Sequence, residues 1–286
     1  MSVQIICDSA CDLSEATLSE YGVDRVSLKV LLKGKEHEDG QDLSPKEVYD
    51  AMRKGEAPKT SQVTAQDFRE LFTEKIAADQ PFLYIAFSSA LSGTYQSAKV
   101  VEQELKEEYP KAKFAVIDTK AASLGYGLIV LRAAEESRKN ATLRELISLV
   151  SYHSKHMEHL FTVDDLAYLQ RGGRVTKAEA FVGSLLKIKP LLHVDDGNLV
   201  PLEKIRGQKK VFKRMIELME ERGKDLKRQR IAISHGDSEE RAKQLASMIE
   251  ERFSPADIHI DMVGAAIGAH AGPGTIALFF INEGYR

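Results

Sequence analysis

Cysteine is scarce in this chain: among 286 residues only Cys7 and Cys11 carry thiols. Two thiols are too few for a structural zinc site, which takes four protein ligands. No apolar run reaches the roughly 18 residues that a membrane-spanning helix requires. The stretch Met1–Cys7 lacks the basic flank and long apolar segment of a signal peptide and reads as a first strand. A cytoplasmic location with both thiols free is the expectation. Excess charge is also lacking, with 40 Lys and Arg against 43 Asp and Glu, a formal net charge of −3. A general nucleic-acid binder would be clearly basic. There is no G-x-S-x-G elbow to present a hydrolase serine. Neither G-x-G-x-x-G nor G-x-x-x-x-G-K-[ST] occurs, so no dinucleotide or nucleoside triphosphate loop is indicated.

What is there is an alternation of strand and helix. A chain of this length buries about three quarters of its surface without metal or disulfide staples. The runs Val3–Cys7, Pro81–Phe87 and Phe114–Ile117 are short and apolar, and each is bounded by turn or cap residues. Between them, Thr64–Ala78 places Phe68, Leu71, Phe72 and Ile76 on one helical face, and Gly93–Tyr109 does the same with Ala98, Val101 and Leu105. This predicts an α/β protein whose N-terminal unit is a mostly parallel sheet flanked by helices. A helix over Leu143–His159 leads out of it, and the division is expected between residues 1–158 and 159–286. The second unit reads as a mixed α/β sheet domain. Asp195-Asp196-Gly197-Asn198 signals a hairpin between Ile188–Val194 and Leu199–Ile205. Val211–Arg222 and Glu239–Arg252 read as helices; Arg230–Ser234, Ile258–Val263 and Thr275–Ile281 read as strands.

Three polar clusters stand out. Thr60-Ser61-Gln62 precedes a helix and has the composition of a cap. Ser88–Tyr95 is a hydroxyl-rich strand-to-helix turn. Capping alone explains it, but free N–H groups at a helix start, with added hydroxyls, also suit a carboxylate or phosphate. Gly264–Gly274 reads as a glycine-rich loop in which His270 is the one side chain able to donate or carry charge. Asp8, Asp12 and Asp118 follow strands and suit turns and caps better than a cation. His153, His156 and His159 share one arc of the expected helix and read as a solvated face. A basic set begins at Arg171-Gly172-Gly173-Arg174 and continues through Lys187, Lys189, Lys204, Arg206, Lys209 and Lys210. Arginine beside glycine brings guanidinium and backbone together to a carboxylate or phosphate.

These segments taken in order resemble the DegV family. Cys7-Asp8-Ser9-Ala10-Cys11-Asp12-Leu13 is similar to its opening signature. Thr60-Ser61-Gln62, Ser89–Tyr95, Asp118-Thr119, Phe161–Leu166, Leu169–Arg174, Leu185–Pro190, Lys204–Gly207 and His270–Gly274 follow in family order. Departures are Cys7 and Ala10, where threonine is common, Val63 after Gln62, where proline is frequent, and Ala271 beside His270.

The resemblance implies two α/β domains holding one long-chain fatty acid in an apolar tunnel. Thr60 and Ser92 match the hydroxyls that bond the carboxylate, with Gly93 and Thr94 in the same turn and His270 nearby. It further implies a separate fatty acid kinase that phosphorylates the bound carboxylate, and an acyltransferase of phospholipid synthesis as the consumer. Arg171, Arg174 and Arg206 are then candidates for docking the kinase or holding phosphate. On this reading the chain has no catalytic residue, metal or cofactor of its own. The alternatives are a stand-alone hydrolase or phosphotransferase using Ser92 or the aspartates, and a regulatory lipid sensor with no kinase.

Overall fold

A computed structural model describes residues 2–175 and 188–284. Chain order begins with β1 (Gln4–Asp8), α1 (Glu15–Tyr21), β2 (Val23–Val26), β3 (Lys29–Leu32), β4 (Lys35–Glu38), α2 (Pro45–Arg53), β5 (Lys59–Ser61) and α3 (Ala65–Ala77). It continues with β6 (Phe82–Ala86), α4 (Thr94–Glu108), β7 (Phe114–Asp118), α5 (Ser123–Arg138) and α6 (Leu143–His156). Next come β8 (Met157–Thr162), α7 (Ala167–Gly172), β9 (Ile188–Asp195), β10 (Asn198–Arg206) and α8 (Gln208–Arg222). The last elements are β11 (Arg230–His235), α9 (Glu239–Phe253), β12 (Asp257–Met262), α10 (Ala265–Ala271) and β13 (Ile276–Ile281).

The fold is mixed α/β, as expected. Strands β2-β1-β6-β7 form a four-stranded sheet, and every pairing in it is parallel. All five residues of β6 are buried, the mark of a strand covered by helices on both faces. Six strands in the order β10-β9-β8-β13-β11-β12 form a second, mixed sheet. Its hairpin turns at Asp196 and Gly197, both with positive φ (42° and 81°), as a two-residue primed turn requires. A small antiparallel sheet, β4-β3-β5, has no counterpart in the sequence reading.

Side chains of β13 alternate between two cores. Ile276, Leu278 and Phe280 pack outward with Val211, Phe212 and Met215 of α8 and Leu245 and Ile249 of α9. Ala277 and Phe279 face inward and join the core of the parallel sheet, as do Phe161, Leu192 and Ala232. Helix α5 packs against both β1 and β11, so one interior is shared between the two sheets.

Two expectations are corrected. The helix over Leu143–His159 stops at His156, where Met157 turns extended and Met157–Thr162 pairs with β13. As alternating residues of a central strand, Leu160 and Phe161 are buried in the two different cores. His159 therefore sits on β8, and both His153 and His159 are buried rather than solvated. The expected loop Gly264–Gly274 contains helix α10, with Gly264 as its N-cap and Gly272 (φ 81°) just past its end. Tyr49 of α2 donates its hydroxyl to Val263 O at 2.9 Å. A Cβ at position 268 would lie 2.5 Å from that hydroxyl, so glycine permits the helix to pack there despite its low propensity.

Candidate functional site

Between the sheets lies a cavity of about 310 Å³. Leu28, Phe87, Phe161, Val194, Leu199 and Phe279 give it mostly apolar walls. Its lining comes from loops just beyond β2 and β6, from β5, α7 and α10, and from strands of the six-stranded sheet, including the β9–β10 hairpin. The hairpin tip is tied down by Ser88, whose hydroxyl donates to Gly197 O at 3.0 Å.

Thr60, Ser92, Gly93, Arg174 and His270 meet on this cavity. Thr60 is not a helix cap, because Thr64 caps α3 in a capping box with Asp67. Thr60 belongs to β5, held by pairing with Val30, and its Oγ1 lies 2.7 Å from His270 Nε2. Burial, and then the nearby Arg174 charge, lowers the His270 imidazole to about 4. The ring is thus neutral near pH 7 and offers hydrogen bonds without charge. Glycines sit in close approach at two places, against the His270 ring at 172 and against the movable end of Gln62 at 93. A Cβ at 172 would lie 2.2 Å from His270 Nδ1, and one at 93 would lie 2.0 Å from Gln62 Oε1.

Ser92 Oγ lies 2.9 Å from Thr94 Oγ1 and accepts the Thr94 N–H at 3.2 Å. Thr94 itself is fully buried behind Ser92, accepts from Val63 N at 3.4 Å and does not line the cavity. Gly93 opens α4, whose start has no side-chain cap. Arg174 reaches the cavity with its guanidinium donating to Leu91 O at 3.2 Å and Gly172 O at 2.5 Å. Arg171 is exposed and stacks over Tyr168 at 5.5 Å, and Arg206 is exposed at the end of β10; neither joins the cavity. In the rest of the basic set, Lys189 pairs with Asp164 at 2.8 Å, while Lys187 falls outside the described residues.

A second polar group on the cavity wall escaped the sequence reading. Ser123 Oγ donates to Asp12 Oδ2 at 2.5 Å and lies 2.9 Å from Ser234 Oγ. Asp12 also accepts from Gly264 N at 3.0 Å. His159 lines the same wall and accepts from Ala122 N at 3.2 Å; its burial lowers the ring to about 4. Nothing local in sequence marks Ser123 or Ser234, and Asp12 reads there only as a turn residue. Asp8 is a buried turn former, accepting from Tyr84 Oη at 2.7 Å, Phe87 N at 3.0 Å and Ala10 N at 3.2 Å. Cys7 and Cys11 are free, buried thiols with sulfurs 3.7 Å apart. Among the described residues no group of three or more His, Cys, Asp or Glu could hold a metal, and no helix is long and apolar enough to cross a membrane.

The family model described as "Uncharacterised protein, DegV family" matches residues 2–283. The chain belongs to the DegV family. A DegV domain-containing protein of Clostridium perfringens is 41% identical over 282 residues, covering 98% of this chain and 97% of the relative. Among solved structures, a fatty acid binding DegV family protein from Thermus thermophilus superposes with a TM-score of 0.91 at 30% identity, covering 99% of this chain and 100% of that one. DegV of Bacillus subtilis, described as a fatty acid binding protein, gives 0.86 at 29% identity with 99% and 100% covered. The parallel four-stranded sheet and the mixed six-stranded sheet are thus the DegV architecture.

Proposed function

We propose that this DegV protein binds one long-chain fatty acid, with its acyl chain in the cavity and its carboxylate at the cluster of Thr60, Ser92, Gly93 and His270. The observation that carries this reading is one apolar cavity bearing hydroxyls, a neutral imidazole and Arg174. The fatty acid binding of the solved Thermus thermophilus and Bacillus subtilis relatives supports it. Burying about fifteen methylenes at about 0.8 kcal/mol each supplies on the order of 12 kcal/mol before ordering costs. The tail therefore supplies affinity and the head supplies orientation. A bare carboxylate is costly to bury, and hydroxyl donors with a nearby guanidinium offset that cost.

On the same reading the protein is a carrier that presents the carboxylate to a separate fatty acid kinase. The resulting acyl-phosphate would feed an acyltransferase of phospholipid synthesis. The hydrogen bonding of the candidate nucleophile supports a non-catalytic role: the Ser92 hydroxyl bonds Thr94, while His270 bonds Thr60. Arg171 and Arg206, exposed and outside the cavity, are the residues we assign to kinase docking; Arg174 we assign to the ligand's anion.

Native mass spectrometry of the purified protein tests the first part: a co-purifying fatty acid is expected. A protein that carries none and takes none up from solution overturns the reading. ATP, magnesium and fatty acid added to the protein alone should yield no acyl-phosphate, and its formation there would refute the carrier role.

A further inference from the structure

Ser234 sits in β11 opposite Ala277 of β13. Both face the cavity, together with Thr275 and Phe279. Ser234 is fully buried, in a position where a methyl group would continue the apolar wall. Its Oγ forms one end of a short chain of hydroxyls, Ser234 to Ser123 to Asp12, with separations of 2.9 and 2.5 Å. Ser123 is held at φ 53°, a left-handed conformation that serine seldom adopts, at the first residue of α5. The cluster stands on different elements from those that carry Thr60, Ser92 and His270.

A hydroxyl has one proton to donate and two lone pairs to accept with. With Asp12 ionised, Ser123 donates to the carboxylate and Ser234 donates to Ser123. Ser234 is then left with accepting capacity on the cavity side. With Asp12 protonated, a state favoured by its burial, the chain reverses and Ser234 donates into the cavity. Only a partner that both accepts and donates satisfies Ser234 in either state. A methylene does neither, a keto oxygen only accepts, and a hydroxyl does both. Thr275 adds accepting capacity on the same wall, because its single proton is directed to Ala271 O (3.0 Å) and Gly272 O (2.9 Å).

We propose that the cavity accommodates fatty acids bearing a hydroxyl group along the acyl chain, recognised by Ser234 through its bond to Ser123. The inference deepens the proposed fatty acid binding and rests on it. Its test is the affinity ratio of hydroxyoctadecanoic to octadecanoic acid, measured by calorimetry on delipidated protein across the positional isomers. In the wild type at least one isomer should bind as tightly as octadecanoic acid or more tightly. Ser234→Ala should lower that isomer's ratio roughly tenfold, because the ligand hydroxyl then loses its partner. Ser234→Cys keeps the side chain's shape, offers only a weak donor, and should move the ratio the same way if the alanine variant does not fold. A wild-type ratio below one for every isomer, or a ratio unmoved by both substitutions, overturns the inference while octadecanoic acid binding preserves the parent reading. Binding of neither acid removes both.

Discussion

Thr60 and His270 are separated by 210 positions in the chain, and their side chains meet at 2.7 Å. The bond joins β5 of the small antiparallel sheet to α10, which packs on α2. Helix α10 also packs on β3 and β5, so the bond adds a polar link where these elements meet the cavity edge.

Thr60→Ala removes the hydroxyl and leaves His270 Nε2 without this partner. Affinity for octadecanoic acid should fall roughly five- to tenfold, the worth of one or two hydrogen bonds. Titration calorimetry reads this directly. Unchanged affinity would exclude Thr60 from the carboxylate contact.

Gly172→Ala has two opposing effects. In an isolated helix alanine would gain about 1 kcal/mol over glycine. Here its Cβ would lie 2.2 Å from His270 Nδ1, and the imidazole can retreat only by breaking its bond to Thr60. The clash should win, with about 1–3 kcal/mol lost and weaker ligand binding. Thermal melts and binding of the variant check both halves.

Acid should act through His270. The folded ring is lowered to about 4, while the unfolded side chain titrates near 6.5. Between these values the unfolded chain takes a proton that the fold refuses, so this group costs stability as pH falls through that window. Asp8, raised to about 6 by burial, acts oppositely and gains stability as pH falls toward 3.8. That contribution is common to wild type and variant. Between about pH 7 and about pH 4.5 the wild type should therefore lose about 2 kcal/mol more than His270→Gln, measured by urea unfolding.

Docking through Arg171 and Arg206 should be sensitive to ionic strength. Raising salt from about 0.05 to about 0.5 M should weaken association with a fatty acid kinase, mainly by slowing the on-rate. Arg171→Ala with Arg206→Ala should flatten that salt dependence while fatty acid binding persists. Surface plasmon resonance at several salt concentrations decides it.

The central strands were legible because burial on both faces writes a continuous apolar run, as in Phe82–Ala86. The β9–β10 hairpin was legible because its turn demands positive φ, which Asp196-Gly197 advertises. The β3–β5 sheet was not. Its strands are three or four residues long and carry Lys29, Lys35, Glu36 and Glu38, with Leu31 40% exposed. No period emerges from so few residues, so Thr60 reads from sequence as part of a helix cap. Helix α10 was hidden by composition: Gly268 in its middle answers to the proximity of Tyr49, which local propensity cannot register. Thr60, Ser92 and His270 were singled out through family resemblance, and the fold brings them onto one cavity. Ser123 and Ser234 are ordinary serines until β11 and the start of α5 are set side by side.

The core that runs from β1 across α5 to β13 is continuous with the cavity walls. Whatever fills that space binds the folded protein and not the unfolded chain. It stabilises the fold by RT ln(1 + [L]/Kd), about 2.7 kcal/mol at a hundredfold excess over Kd. Copies that meet no ligand unfold more often and are removed sooner by proteolysis. Steady-state abundance should then rise with supply of the molecule that completes the interior.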